Sequence, residues 1–208
     1  MKLFLASSLD KSASLLQEKL SGSLKNKKVL FIANAADNHT GDKWWIQSDR
    51  ETFKKLDCEV TDIDLRSISK DNFANNIKES DILHFCGGSV LYLISLIREK
   101  DMQQIIIDAV RDNEILYTGT SAGSMIVAQD LSLSAFDPGE ETPTENIKDF
   151  SGLGLTNFIV WPHTNNKEFA EDNKKIIEKL PDYNQPLIFL YDNQAVWVED
   201  EKFEILNT

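Results

Sequence analysis

Gly119-Thr120-Ser121-Ala122-Gly123 is the stretch whose residue types and spacing point most directly to covalent chemistry. The apolar run Ile115-Leu116-Tyr117 precedes it, and Ser124-Met125-Ile126-Val127-Ala128 follows as a helix start. A serine in G-x-S-x-G between a strand and a helix sits on a sharp turn whose flanking residues must be small. Gly119, Ala122 and Gly123 meet that demand. The turn lifts the Ser121 hydroxyl above the sheet edge. It also aims the first backbone N–H groups of the helix at whatever the serine attacks. The same residues would serve an ordinary glycine-rich turn, so the rest of the chain must supply partners that activate a hydroxyl.

A serine is a poor nucleophile at neutral pH until a neighbouring base takes its proton. Three histidines are available. His84 lies inside the apolar run Asp81–Cys86 and reads as a hydrogen-bonded core residue. His39 falls in a polar loop, solvated or at a pocket wall. His163 follows the run Thr156–Trp161 and Pro162, a position that projects a side chain from a strand end, and it is the expected base. The third member should be a carboxylate that orients the imidazole and stabilises its protonated form. Asp192, after Pro186–Tyr191, has the matching placement, although Asp-Asn is also ordinary turn chemistry. Asp137 competes, since it lies between Ser121 and His163 in chain order.

The elements that must position these residues alternate along the chain. Strands are expected at Lys2–Ser7, Lys28–Ala33, Val60–Leu65, Asp81–Cys86 and before Ser121. A short helix is expected to include Leu15–Leu20, and further helices are expected around Trp44–Leu56 and at Asn72–Lys78, Val90–Arg98 and Met102–Arg111. This pattern implies a largely parallel sheet covered by helices on both faces, an α/β fold with its site beyond the strand C-termini. Gly87-Gly88 and Ser121 then share one edge. In the second half Leu131–Phe136 alternates like a half-exposed strand, and Asp137–Asp149 reads as an acidic loop. Glu168–Leu180 is helical, and Pro186–Tyr191, Ala195–Glu199 and Lys202–Leu206 read as three closing strands.

The chain has 208 residues, 41% hydrophobic and 27% charged, which fits one globular domain over 1–208. A net charge of -12 argues against nucleic acid or an anionic membrane surface as partner. No segment reads as a signal peptide or a membrane span. Cys58 and Cys86 show no metal-ligand spacing and no disulfide framework, so a reducing cytoplasm is expected.

Together, Gly119–Gly123, Cys86-Gly87-Gly88-Ser89 before a helix, and Trp161-Pro162-His163-Thr164-Asn165 resemble the peptidase E family. That family comprises aspartyl dipeptidases and cyanophycinase within the class I glutamine amidotransferase-like fold. The resemblance spans nearly the whole chain, including Gly152-Leu153-Gly154-Leu155. It implies a serine–histidine–glutamate triad in chain order, matched here by Ser121, His163 and, in place of the glutamate, Asp192. It further implies an oxyanion hole from the N–H groups of Gly88 and Ala122. Asp137 lies near a family aspartate that holds the substrate's α-amino group, and Ser89 falls with it on the substrate side. The reaction implied is hydrolysis of small peptides through an acyl-enzyme, with no cofactor and no metal.

Two departures stand out. Asp192 is one methylene shorter than glutamate, so it must approach the imidazole more closely. The segment after His163, Asn166–Glu171, carries no arginine, only Lys167 with Lys174 and Lys175 beyond. Strict preference for an amino-terminal aspartate is therefore not expected. A small peptide is the expected partner, and a homodimer is left open. Two other readings remain: an α/β-hydrolase-type esterase, which needs its histidine last, and a non-catalytic binding member of the amidotransferase-like fold.

Overall fold

In a computed structural model, which describes residues 1–140 and 147–208, the apolar runs become the strands of a central sheet. Strand β1 (Lys2–Ala6) is followed by α1 (Leu9–Lys19), β2 (Lys28–Ile32) and α2 (Trp44–Lys55). Then come β3 (Glu59–Ile63), α3 (Lys70–Lys78), β4 (Ile82–Phe85), α4 (Val90–Glu99) and α5 (Gln103–Arg111). β5 (Leu116–Thr120) leads through Ser121 into α6 (Ala122–Met125). The remaining elements are β6 (Ile159–Trp161), α7 (Ala170–Lys179), β7 (Leu187–Phe189), β8 (Gln194–Glu199) and β9 (Lys202–Asn207).

Seven strands form one sheet in the order β3-β2-β4-β5-β1-β8-β9. The first five are parallel, and the β8–β9 hairpin joins antiparallel to β1. A strand buried on both faces sends alternate residues into two cores. Leu3 and Leu5 of β1 enter one core with residues of α3, α4 and α5, while Phe4 and Ala6 enter the other with residues of α1 and α2. Helices therefore cover both faces, as the alternation implies. The order also reverses between β2 and β4, and the segments after these strands meet beyond their C-terminal ends. There the carbonyl oxygen of Ala35 accepts the N–H of Ser89 at 2.8 Å.

The second half departs from expectation at Leu131–Phe136 and adds a second, small sheet. Leu131–Phe136 is not a strand but a 3-10 turn over Ser132–Phe136. The Asp130 carboxylate accepts the Ser132 N–H at 2.8 Å, and Leu131 accepts from Ser134, which sets a period of three that buries Leu131 and Ser134 together. The histidine-bearing strand does not extend the main sheet. β6 pairs in parallel with β7 in a separate two-stranded sheet, because both sides of β1 are already filled by β5 and β8. A smaller difference is that the helix after Ser121 lasts a single turn. Of the expected acidic loop, residues 141–146 lie outside the described residues. Among the described residues no helix is long and apolar enough to cross a membrane.

Candidate active site

Ser121 has φ 52° and ψ −115°, a strained backbone for a residue with a side chain. Close backbone approaches on either side hold it there. A Cβ on Gly123 would lie 2.0 Å from the Phe85 carbonyl oxygen, and one on Gly119 2.4 Å from the Gly123 carbonyl oxygen. Both positions therefore admit only glycine. The Ser121 N–H donates to the Ala6 carbonyl at 3.1 Å, and the Ser124 hydroxyl donates to the same oxygen at 2.8 Å. The elbow is thus fastened to the C-terminal end of β1.

The Gly87-Gly88 turn lies against the serine. A Cβ on Gly87 would stand 3.1 Å from Ser121 Cβ and 3.7 Å from its Oγ. Gly88 has φ +146°, and a Cβ there would fall 2.3 Å from the Ala35 carbonyl oxygen, so this turn too requires glycine. Trp45 Nε1 donates to the Gly87 carbonyl at 3.0 Å and braces the turn from α2.

His163 and Asp192 come together from the ends of β6 and β7. The Leu190 N–H donates to the Trp161 carbonyl at 2.9 Å, and the Thr164 N–H donates back to Leu190 at 3.0 Å. Asn165 Oδ1 then accepts the Asp192 N–H at 2.9 Å. This lacing brings His163 Nδ1 to 2.6 Å from Asp192 Oδ1. The shorter side chain reaches the imidazole directly, and Asp192, not Asp137, is the carboxylate on Nδ1. The Phe169 ring stacks on the imidazole at 4.8 Å between centroids and 19° between planes.

Ser7, not singled out from the sequence, joins the two halves. Its buried hydroxyl accepts the His163 N–H at 2.9 Å and donates to Asp192 Oδ1 at 3.3 Å. Ala6 holds the Ser121 backbone while its neighbour Ser7 holds the His163 backbone, so the end of β1 anchors both. The signal was available: Ser7 closes the first expected strand, on the edge where parallel sheets place their sites. Lys11 Nζ, one turn on, donates to Asp192 Oδ2 at 2.9 Å.

The hydrogen bond from His163, and then that from Lys11, hold the Asp192 carboxyl well below its ordinary value of 3.8. The stability this contributes is fully present above that ordinary value and is lost as pH falls through the lower folded one. Acid unfolding of the wild type should therefore steepen below about pH 4. Asp192→Asn should flatten that limb when both are followed by circular dichroism.

Asp137 is half-buried, and its carboxylate accepts the Gly139 N–H at 2.9 Å. Burial, with Asp172 and Glu140 adding to it, raises its pKa, and His163 acts the other way. Ser89 caps α4: its hydroxyl accepts the Tyr92 N–H at 3.0 Å and donates to Glu140. His84 is fully buried against Thr118 and Asp49, and His39 stands edge-on to Trp45 at 5.0 Å.

The model of peptidase family S51 matches residues 3–206 of this chain. The chain belongs to peptidase family S51. Among its S51 relatives, the uncharacterized peptidase PM1590 of Pasteurella multocida is 27% identical over 201 residues, covering 96% of this chain and 94% of that one. The uncharacterized peptidase Lin0382 of Listeria innocua is 25% identical over 203 residues, covering 96% and 93%. In fold, the S51 chain matches a candidate peptidase E from Listeria monocytogenes EGD-e with a TM-score of 0.89 at 21% identity, over 100% of this chain and 98% of that one. A peptidase from an acI-B1 Actinobacterium matches with a TM-score of 0.68 at 19% identity, over 100% and 87%.

Proposed function

We propose that this S51 peptidase is a serine-type exopeptidase of the dipeptidase E kind, hydrolysing small peptides through an acyl-enzyme on Ser121. The observation that carries this reading is the 2.6 Å contact between His163 and Asp192, held by Ser7 beside the strained Ser121 turn. With Nδ1 committed to Asp192, Nε2 is the imidazole nitrogen left to take the serine proton. Ser121 Oγ bonds to the carbonyl carbon of the substrate as its proton passes to His163. The amine leaves with that proton as the C–N bond breaks. A water then gives a proton to His163 and attacks the ester carbon, and as the C–Oγ bond breaks His163 returns the proton to Ser121. The N–H groups of Gly88 and Ala122 are the assigned oxyanion donors, flanking Ser121 from the glycine turn and from α6. The carboxylate of Asp137 suits the substrate's α-amino group, and Ser89 shapes the same side by holding the α4 N-terminus.

An esterase of the α/β-hydrolase type fits less well, because no histidine follows Asp192 in the chain. The acidic composition and the two free, buried cysteines support a reducing cytoplasmic setting.

Specificity follows from charge. Recognition of a substrate aspartate calls for a cation, best the planar fork of an arginine. Beyond His163 the structure pairs Lys174 with Glu171 at 2.5 Å and Lys175 with Asp172 at 4.0 Å, both on α7. Lys11 is engaged by Asp192. Lys167 remains in that segment but offers a flexible point charge rather than a fork, so peptides beginning with aspartate should show no strong preference, and neutral amino-terminal residues should be accepted comparably or better. The test is kcat/KM across X–Leu dipeptides at fixed ionic strength. A preference for Asp–Leu of about a hundredfold, about 2.7 kcal/mol in the transition state, would overturn this expectation.

A further inference from the structure

Outside the site described above, three ligand-type side chains converge between α2 and the sheet. Asp49 of α2, His84 of β4 and Cys86 just beyond β4 are 3%, 0% and 0% exposed. Their donor atoms form a closed triangle. His84 Nε2 lies 3.3 Å from Asp49 Oδ2, Cys86 Sγ 3.4 Å from that same oxygen, and Sγ 3.7 Å from Nε2. We propose that Asp49, His84 and Cys86 form a buried site for a divalent transition metal, with zinc the best-suited ion.

The distances carry the argument. A charge-assisted N–H···O bond is about 2.7–2.9 Å long. His163 and Asp192 meet at 2.6 Å in this same molecule. His84 and Asp49 stand apart by more than such a bond needs, although both are buried where a short bond would be worth most. Tetrahedral zinc has bonds of about 2.3 Å to sulfur and 2.0–2.2 Å to nitrogen or oxygen. These bonds give edges of about 3.4 Å between nitrogen and oxygen, and about 3.6 Å where sulfur is one partner. The observed 3.3, 3.4 and 3.7 Å match that polyhedron.

The surroundings agree. His84 Nδ1 lies 3.0 Å from the Thr118 hydroxyl, the outer contact that fixes a metal-binding imidazole with Nε2 toward the ion. A carboxylate, a thiolate and a neutral imidazole together neutralise a divalent cation, so the occupied site buries no net charge. Binding displaces the Cys86 thiol proton to solvent. The fourth vertex goes to a water or another small ligand. The sequence concealed the site because its donors lack a recognised ligand spacing: Asp49 arrives from a helix far upstream. Because all three side chains are buried, the ion enters as α2 docks on β4 and exchanges slowly afterwards. It would also fix the helix whose Trp45 braces the Gly87 carbonyl.

Purified protein should retain about one zinc per chain through extended dialysis against chelator. Chelator during unfolding should release it. Refolding with cobalt should give a near-ultraviolet thiolate-to-cobalt band saturating at one equivalent. Cys86→Ala and Asp49→Asn should each lower metal content at least tenfold, while Cys58→Ala keeps it. Failure of those two variants to fold would leave the cobalt titration of the wild type to decide. Wild type that refolds in excess zinc or cobalt without binding either would overturn the proposal in favour of a hydrogen-bonded triad. Full metal retention by folded Cys86→Ala would overturn it as well.

Discussion

Ser121→Ala should reduce peptide kcat/KM by at least about 10⁴-fold, the scale on which nucleophile loss acts in serine peptidases. Its stability should stay within about 1 kcal/mol of wild type, since the backbone contacts that strain the elbow do not use the hydroxyl. His163→Ala should lose a comparable factor, and the double variant should be scarcely worse than either single one. Residues that act as one unit are not additive. Stopped assays with product analysis, beside thermal melts of the same samples, separate loss of chemistry from loss of fold. Near-wild-type turnover by folded Ser121→Ala would refute the acyl-enzyme.

The second large effect belongs to Asp192. Asp192→Asn should lower kcat by about 10⁴-fold, because an amide in this place favours the tautomer with its proton on the wrong nitrogen. Asp137→Asn should act chiefly through KM, as expected of a group that meets the substrate amine rather than the imidazole. The contrast is sharp because only one carboxylate can occupy Nδ1, and Asp192 stands there at 2.6 Å. A neutral Asp192→Asn with an inactive Asp137→Asn would reverse the assignment.

Much of this arrangement was legible in the chain. The strand–helix alternation through Thr120 follows from apolar runs bounded by polar turns, and the observed strand bounds differ from the expected ones by one or two residues. Ser121 was visible because its turn tolerates only small neighbours, and His163 because Pro162 ends its strand. What was not legible depends on contacts distant in sequence. β6 leaves the main sheet only because the β8–β9 hairpin claims the free side of β1, which local pattern does not disclose. Leu131–Phe136 alternates, yet the Asp130 side chain turns it into a 3-10 segment. Ser7 becomes a link between the Ser121 turn and His163 only when β1 lies between β5 and β8. The glutamate-to-aspartate departure loses its difficulty once the lacing between β6 and β7 is seen, since it draws the shorter side chain to the ring.

The central claim is that Ser121 is the nucleophile, and covalent capture tests it most directly. Incubation with a fluorophosphonate probe, followed by digestion and mass mapping, should place one adduct on the Ser121 hydroxyl. His163→Ala should slow labelling by orders of magnitude, and a competing small peptide should protect the site. Full peptidase activity in protein that the probe never modifies, or an adduct on a different residue that tracks inactivation, would contradict the account.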